Sequence, residues 1–155
     1  MRYYSYDEFK KDILTLSKTL KHNNYDTIIT IARGGFIPTH AIGEALGIRH
    51  IQTLNAISYD KNIKQYSVKL ETKELNLARS KKVLVVDDIS DSGETLDALM
   101  GYLEKNFRDL SFESATLFYK KTSIYKPTYY VQEANEWIEF FWERDFRLMD
   151  EELLA

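Results

Sequence analysis

The sequence predicts an α/β fold in which a central, mainly parallel sheet is flanked by helices. Three observations carry this. The segments 27–32 (TIITIA) and 82–86 (KVLVV) are nearly unbroken aliphatic and β-branched runs, the composition of strands covered on both faces. Each run ends in a short glycine-containing turn that leads into a helical pattern, so strand, turn and helix follow one another twice. The 155 residues are 44% hydrophobic, enough for one packed domain spanning 1–155, and no repeat or linker divides them.

Taken in order, Ser5 with Glu8 three residues on forms a capping-box signature, and Phe9, Ile13, Leu16 and Leu20 recur at helical spacing up to about 22–24. After the 27–32 strand, Arg33-Gly34-Gly35-Phe36-Ile37-Pro38 turns into a helix from about Thr39 to Leu46, closed by Gly47. A third strand is expected over Arg49 to Ser58. Asp60 to Ser80 is polar and weakly periodic, which suits a lid or a disordered segment, although Val68 to Leu70 could pair as a short hairpin. The 82–86 strand ends on Asp87-Asp88. The loop Ser90-Asp91-Ser92-Gly93 follows, and Leu96, Leu99, Met100 and Leu103 then line one helical face. Ser111 to Tyr119 is a fourth strand that delivers Lys120 and Lys121 to its carboxyl end; Ile124 to Val131 is extended and aromatic, and Glu136 to Glu143 follows it.

The turns suggest chemistry. In open α/β sheets ligands collect at the carboxyl ends of strands. The Gly93 loop opens a helix N-terminus, where free N–H groups bind phosphate and the Ser92 and Thr95 hydroxyls can donate to it. Adjacent carboxylates at Asp87 and Asp88 would repel a phosphate; they suit vicinal sugar hydroxyls or a hydrated Mg²⁺. The Arg33-Gly34-Gly35 turn offers backbone amides and a bidentate cation to a second anion. Together these ask for a ribose 5-phosphate.

Composition narrows the field. The formal net charge of −3 gives no basic footprint, so a nucleic-acid partner is not expected. The chain has no cysteine, which removes disulfides, thiolate metal sites and a Cys nucleophile. His22, His40 and His50 have no metal spacing. No signal-peptide core or membrane-length apolar run is present, so a cytoplasmic enzyme without an integral membrane segment is the expectation.

The segment VLVVDDISDSGET resembles the PRPP-binding motif of the type I phosphoribosyltransferases, and ARGG stands where that family has its pyrophosphate loop. Near the end, FYKK…KPTYYV…EWIEFFWE resembles the base-binding part of the family's small purine branch, the xanthine-guanine and hypoxanthine group. The resemblance implies that fold, with a small C-terminal base-binding hood at about 120–143 and a flexible lid at about 60–80 that starts near Ser58 and Tyr59. It implies transfer of the phosphoribosyl group of PRPP to guanine, xanthine or hypoxanthine, giving a purine 5′-monophosphate and pyrophosphate. PRPP would be held by Asp87, Asp88, Asp91, Ser92, Gly93, Glu94 and Thr95, and pyrophosphate by Ala32, Arg33, Gly34 and Gly35. The base would be held by Lys120 (its exocyclic oxygen), Trp137 (stacking) and the backbone of Ile138. Mg²⁺ would sit at Asp88 and Asp87, and Asp91 and Arg33 would serve the chemistry.

Some alternatives stay open on the residues themselves. Lys121 stands where the family often has proline, which leaves the choice between Lys120 and Lys121 open, and Trp137 and Trp142 could both be core. Exposed aromatics such as Tyr3, Tyr4 and Phe141 would suit a homodimer or homotetramer. A PRPP-sensing regulator on the same fold, or a hydrolase using the paired aspartates as nucleophile and acid, are the competing functions.

Overall fold

A computed structural model describes residues 1–58 and 68–154. Tyr59 and the first part of the expected lid, 60–67, lie outside the described residues.

The chain runs through β1 (Arg2–Tyr4), α1 (Tyr6–Leu20), β2 (Thr27–Ala32), α2 (Phe36–Leu46), β3 (His50–Ser58), β4 (Val68–Glu71), β5 (Lys82–Val86) and β6 (Ile89–Ser90). It continues through α3 (Glu94–Asn106), β7 (Ser111–Tyr119), β8 (Tyr129–Glu133), β9 (Ile138–Phe140), α4 (Phe141–Arg144) and α5 (Asp150–Leu153). Among the described residues the larger sheet runs β4-β3-β2-β5-β7-β8, with every pairing parallel except β3 with β4. β6 pairs with β7 on the register β5 already uses, so Asp87-Asp88 interrupts what is otherwise one strand line.

Alternation along the central strands divides the core into two faces. Ile28, Leu84 and Val86 pack with Phe9, Ile13, Leu16 and Leu20 of α1 and Ile42 of α2. Ile29, Ile31, Val83 and Val85 pack with Leu96, Leu99 and Leu103 of α3. The capping box holds as expected: Glu8 N–H donates to Ser5 Oγ at 3.2 Å, and Ser5 N–H to Glu8 Oε2 at 3.0 Å. Gly47 closes α2 at φ 69°. α2 begins three residues before the expected start, because Pro38 falls in the first turn, where a missing N–H costs nothing.

The expected lid and hood divide differently in space. Of 60–80, Val68–Glu71 is a strand antiparallel to β3 (Ser58↔Val68, Asn55↔Glu71), the hairpin alternative. Of 120–143, Tyr129–Glu133 joins the main sheet beside β7. Ile138–Phe140 instead pairs in parallel with the N-terminal strand, Arg2↔Ile138 and Tyr4↔Phe140, in a separate two-stranded sheet. Tyr4 is therefore not an exposed aromatic: it is fully buried, and Phe141 is partly covered by Tyr6 and Phe9.

Candidate active site

The site forms where β2 and the β5–β6 line end. The turn after β2 carries a cis peptide between Ala32 and Arg33. Gly35 N–H donates to Ile31 O at 2.9 Å and Phe36 N–H to Arg33 O at 3.0 Å. Both glycines are forced by close approach. A Cβ on Gly34 would sit 2.6 Å from Asp88 Cγ, and one on Gly35 would sit 2.6 Å from Val86 O. The basic turn thus packs directly against Asp88 of the acidic pair.

Asp87 and Asp88 are fixed by their backbones. Asp87 N–H donates to Ala115 O at 3.2 Å, and Asp88 O accepts from the amides of Leu117 and Phe118 at 3.0 and 3.1 Å. Each side chain accepts from the amide of the residue that follows it: Asp88 N–H donates to Asp87 Oδ1 at 2.9 Å, and Ile89 N–H to Asp88 Oδ1 at 2.7 Å. Among the described residues no cation pairs with either carboxylate. Burial therefore pushes Asp88 up to about 6, with Glu143 adding to it, and burial with Asp88 beside it pushes Asp87 well above the usual carboxylate range.

That uncompensated pair is also the fit test for a divalent cation. Two partly buried carboxylates with no protein cation suit Mg²⁺, which keeps waters and takes further ligands from a substrate. The described residues hold no cluster of three or more His, Cys, Asp or Glu that could cage a metal without such help.

The Asp91–Thr95 loop is anchored from behind. Gly93 takes φ 84°, and a Cβ there would meet Ser123 Oγ and lie 2.6 Å from Tyr125 N. Ile124 N–H donates to Ser92 O at 2.9 Å, and Ser90 Oγ donates to Tyr125 O at 2.8 Å. The amides of Asp91, Ser92 and Gly93 find no acceptor among the described residues, whereas Glu94 N–H donates to Ser92 Oγ at 3.3 Å. Those amides and the Ser92 and Thr95 side chains lie at the N-terminal end of α3.

Beyond the loop, Lys120 Nζ pairs with Asp91 Oδ1 at 2.8 Å. Lys121 turns outward to Glu133 at 3.2 Å, so only Lys120 reaches the site. A small cavity of about 90 Å³ brings together Asp88, Ile89, Asp91, Lys120, Trp137, Ile138, Phe140 and Glu143. It adjoins a cleft of about 660 Å³ that also includes Arg33, Gly34, Glu139 and Trp142. Trp137 is 63% exposed and not core. Trp142 is partly buried and stacks on Phe140 at 4.5 Å. Ile138 buries its side chain, leaving only its backbone to a ligand, while Trp137 O accepts from Arg2 N–H at 2.9 Å.

The expected residues of the main sheet and its turns thus lie at the carboxyl ends of its strands, Ser58 closing β3 there, while Trp137 and Ile138 are brought to the site by the separate β1–β9 pair. Three contributors were missed. Glu143 and Ile89 carry no periodic signal, and the Lys120–Tyr125 turn that braces the loop has no pattern that ties it to Ser90.

The chain matches the phosphoribosyl transferase domain over residues 3–146. A xanthine-guanine-hypoxanthine phosphoribosyltransferase from Helicobacter pylori superposes with a TM-score of 0.86 at 37% identity, covering 93% of this chain and 94% of that one. A purine phosphoribosyltransferase from Pyrococcus horikoshii Ot3 superposes with a TM-score of 0.79 at 27% identity, covering 96% and 97%. A xanthine-guanine phosphoribosyltransferase of Gluconobacter oxydans is 29% identical over 144 residues, 90% of this chain and 82% of that protein. With the family match spanning nearly the whole chain and both turns built as the motif requires, the chain belongs to the phosphoribosyltransferases, in their type I, purine branch.

Proposed function

We propose that the protein transfers the 5-phosphoribosyl group of PRPP to a 6-oxopurine, releasing pyrophosphate and the purine 5′-monophosphate. The observation that carries this is the direct packing of the Gly34 turn against Asp88, with the Asp91–Lys120 pair beside Asp88 in one cavity and Trp137 lining both that cavity and the adjoining cleft. The loop amides take the 5′-phosphate. Asp87 and Asp88 take the ribose diol, and would hold Mg²⁺, which when bound supplies positive charge to the leaving pyrophosphate. Amides of Ala32–Gly35 and the Arg33 guanidinium receive that pyrophosphate as the C1′–O bond opens, the preorganised charge that is usually the largest catalytic contribution.

The base half follows from the Lys120–Asp91 pair. A donor and an acceptor side by side match the O6 and N7–H that a 6-oxopurine presents on one edge, with Asp91 placed to share the N7 proton. Trp137 offers its exposed face for stacking, and the Ile138 backbone faces the 2-position. Residues from Ser58 onward act as the lid that excludes water. A cytoplasmic homodimer or homotetramer is the working form; among the described residues no helix is long and apolar enough to cross a membrane.

The test is a spectrophotometric assay with PRPP, Mg²⁺ and guanine, xanthine or hypoxanthine in turn. Turnover of at least one is expected; phosphate release without nucleotide would remove the reading. Trp137→Ala should raise the KM for base about tenfold or more while leaving that for PRPP near its original value, since stacking is worth about 1–3 kcal/mol.

A further inference from the structure

The strand that Ile138 opens, directly after Trp137, has a single strand partner among the described residues, and it is the N-terminal strand. A pair of three-residue strands is not stable alone. Something must therefore fix β1 to the body of the protein, and whatever does so also fixes the base half of the site. Tyr4 has that position. Its ring is fully buried and meets Phe118 edge-on at 4.9 Å, Phe140 at 5.7 Å and Trp142 at 6.4 Å. Phe118 lies two residues before Lys120 and Phe140 two residues after Ile138. Phe118 and Phe140 also meet each other at 5.9 Å, so the Tyr4 ring completes a three-ring cluster beneath the lysine arm and the stacking arm of the proposed base pocket.

The orientation of the ring is set by its hydroxyl. Tyr4 OH donates to Asp12 Oδ2 of α1 at 2.8 Å, and Gln132 Nε2 of β8 donates to the same oxygen at 2.6 Å. Arg2 completes the link, donating to Gln132 Oε1 at 3.0 Å and Glu8 Oε1 at 2.9 Å. Asp12 is 7% exposed, so its carboxylate depends on these donors. Strand β1 is thereby tied to α1 and β8.

We propose that Tyr4, through its hydroxyl on Asp12, is a positioning residue for purine recognition, fixing how β9, with Trp137 just before it, seats against the Lys120 end of β7. The inference rests on the function proposed above. Its consequence is selective: loss of the hydroxyl loosens the base half and leaves the PRPP half, built on β2, β5 and α3, in place.

Tyr4→Phe tests it, since the ring contacts stay and one hydrogen bond goes. The expected result is a base KM raised about five- to tenfold, the range of one lost buried hydrogen bond, with the PRPP KM within about twofold of wild type. Asp12→Ala should act through the same link, so the double variant should show the base KM of Asp12→Ala alone. Ile13→Val, on the same helix without the link, should lower the melting temperature and leave both KM values unchanged. A merely structural role lowers the active fraction, hence kcat, without separating the two constants. An unchanged base KM in Tyr4→Phe, or a parallel rise in both constants, overturns the inference. A wild-type chain that turned over no purine would remove the underlying activity, and the inference with it, before any variant was compared.

Discussion

Asp88 is a carboxylate whose charged form burial disfavours and no cation among the described residues compensates. Its carboxylate lies beside Asp87 and in the field of Glu143, with no cation among the described residues, and burial raises it to about 6. In an unfolded chain the same group titrates near 3.9. Between those values the folded state binds more protons than the unfolded one, so stability falls as pH rises through that window and stays low above it. Replacing the charge should remove the penalty. Asp88→Asn is expected to melt higher than wild type at pH 8, by about 2–6 °C for roughly 1–2 kcal/mol in a chain of this size, and to match it near pH 4. Phosphoribosyl transfer should fall about a hundredfold or more in the same variant. A lower melting point at pH 8 would mean that the carboxylate is compensated by something the apo geometry does not contain.

Strand, turn and helix, repeated twice, were legible because each piece carries a local signal. Aliphatic runs mark β2 and β5, glycines mark both turns, and helical spacing marks α3. The N-terminal strand and β9 were not legible: three residues give no period, and Arg2-Tyr3-Tyr4 looks like a lead-in to the Ser5 cap. The brace behind the loop after β6 was invisible for another reason, since Ser123 and Tyr125 are ordinary turn residues until β7 brings them against Ser90 and Gly93. Gly93 could be read as a phosphate-loop glycine, but the crowding that forbids a side chain there comes from across the fold. Gly93→Ala should therefore cost about 1–3 kcal/mol for its positive φ alone, and more for the clash at Tyr125 N, lowering the melting temperature. Because the loop is the proposed phosphate cradle, the PRPP KM should rise more than the base KM. An equal rise in both would assign the glycine to stability only.

Across the molecule, the two hydrophobic faces hold a mainly parallel sheet whose carboxyl edge carries both glycine turns, so the ligand proposed above would touch β2, the β5–β6 line, α3 and the β1–β9 pair at once. Such a ligand stabilises the fold by mass action, about 2.7 kcal/mol at a hundredfold excess over its Kd. On the proposed reading the size of that effect depends on pH, because PRPP with Mg²⁺ would need the aspartate pair ionised, and the pair keeps a proton at pH 5. Protons must then be released on binding, so affinity is lower at pH 5 than at pH 8. Saturating PRPP and Mg²⁺ should raise the melting temperature by about 5–10 °C at pH 8 and by clearly less at pH 5. The PRPP phosphates and Asp87 also titrate, and Asp88→Asn separates the Asp88 contribution from theirs: any residual loss in that variant reports Asp87 and the ligand's own protons. If wild type and Asp88→Asn lost the same fraction of the shift between pH 8 and pH 5, Asp88 would not be the group that the ligand discharges.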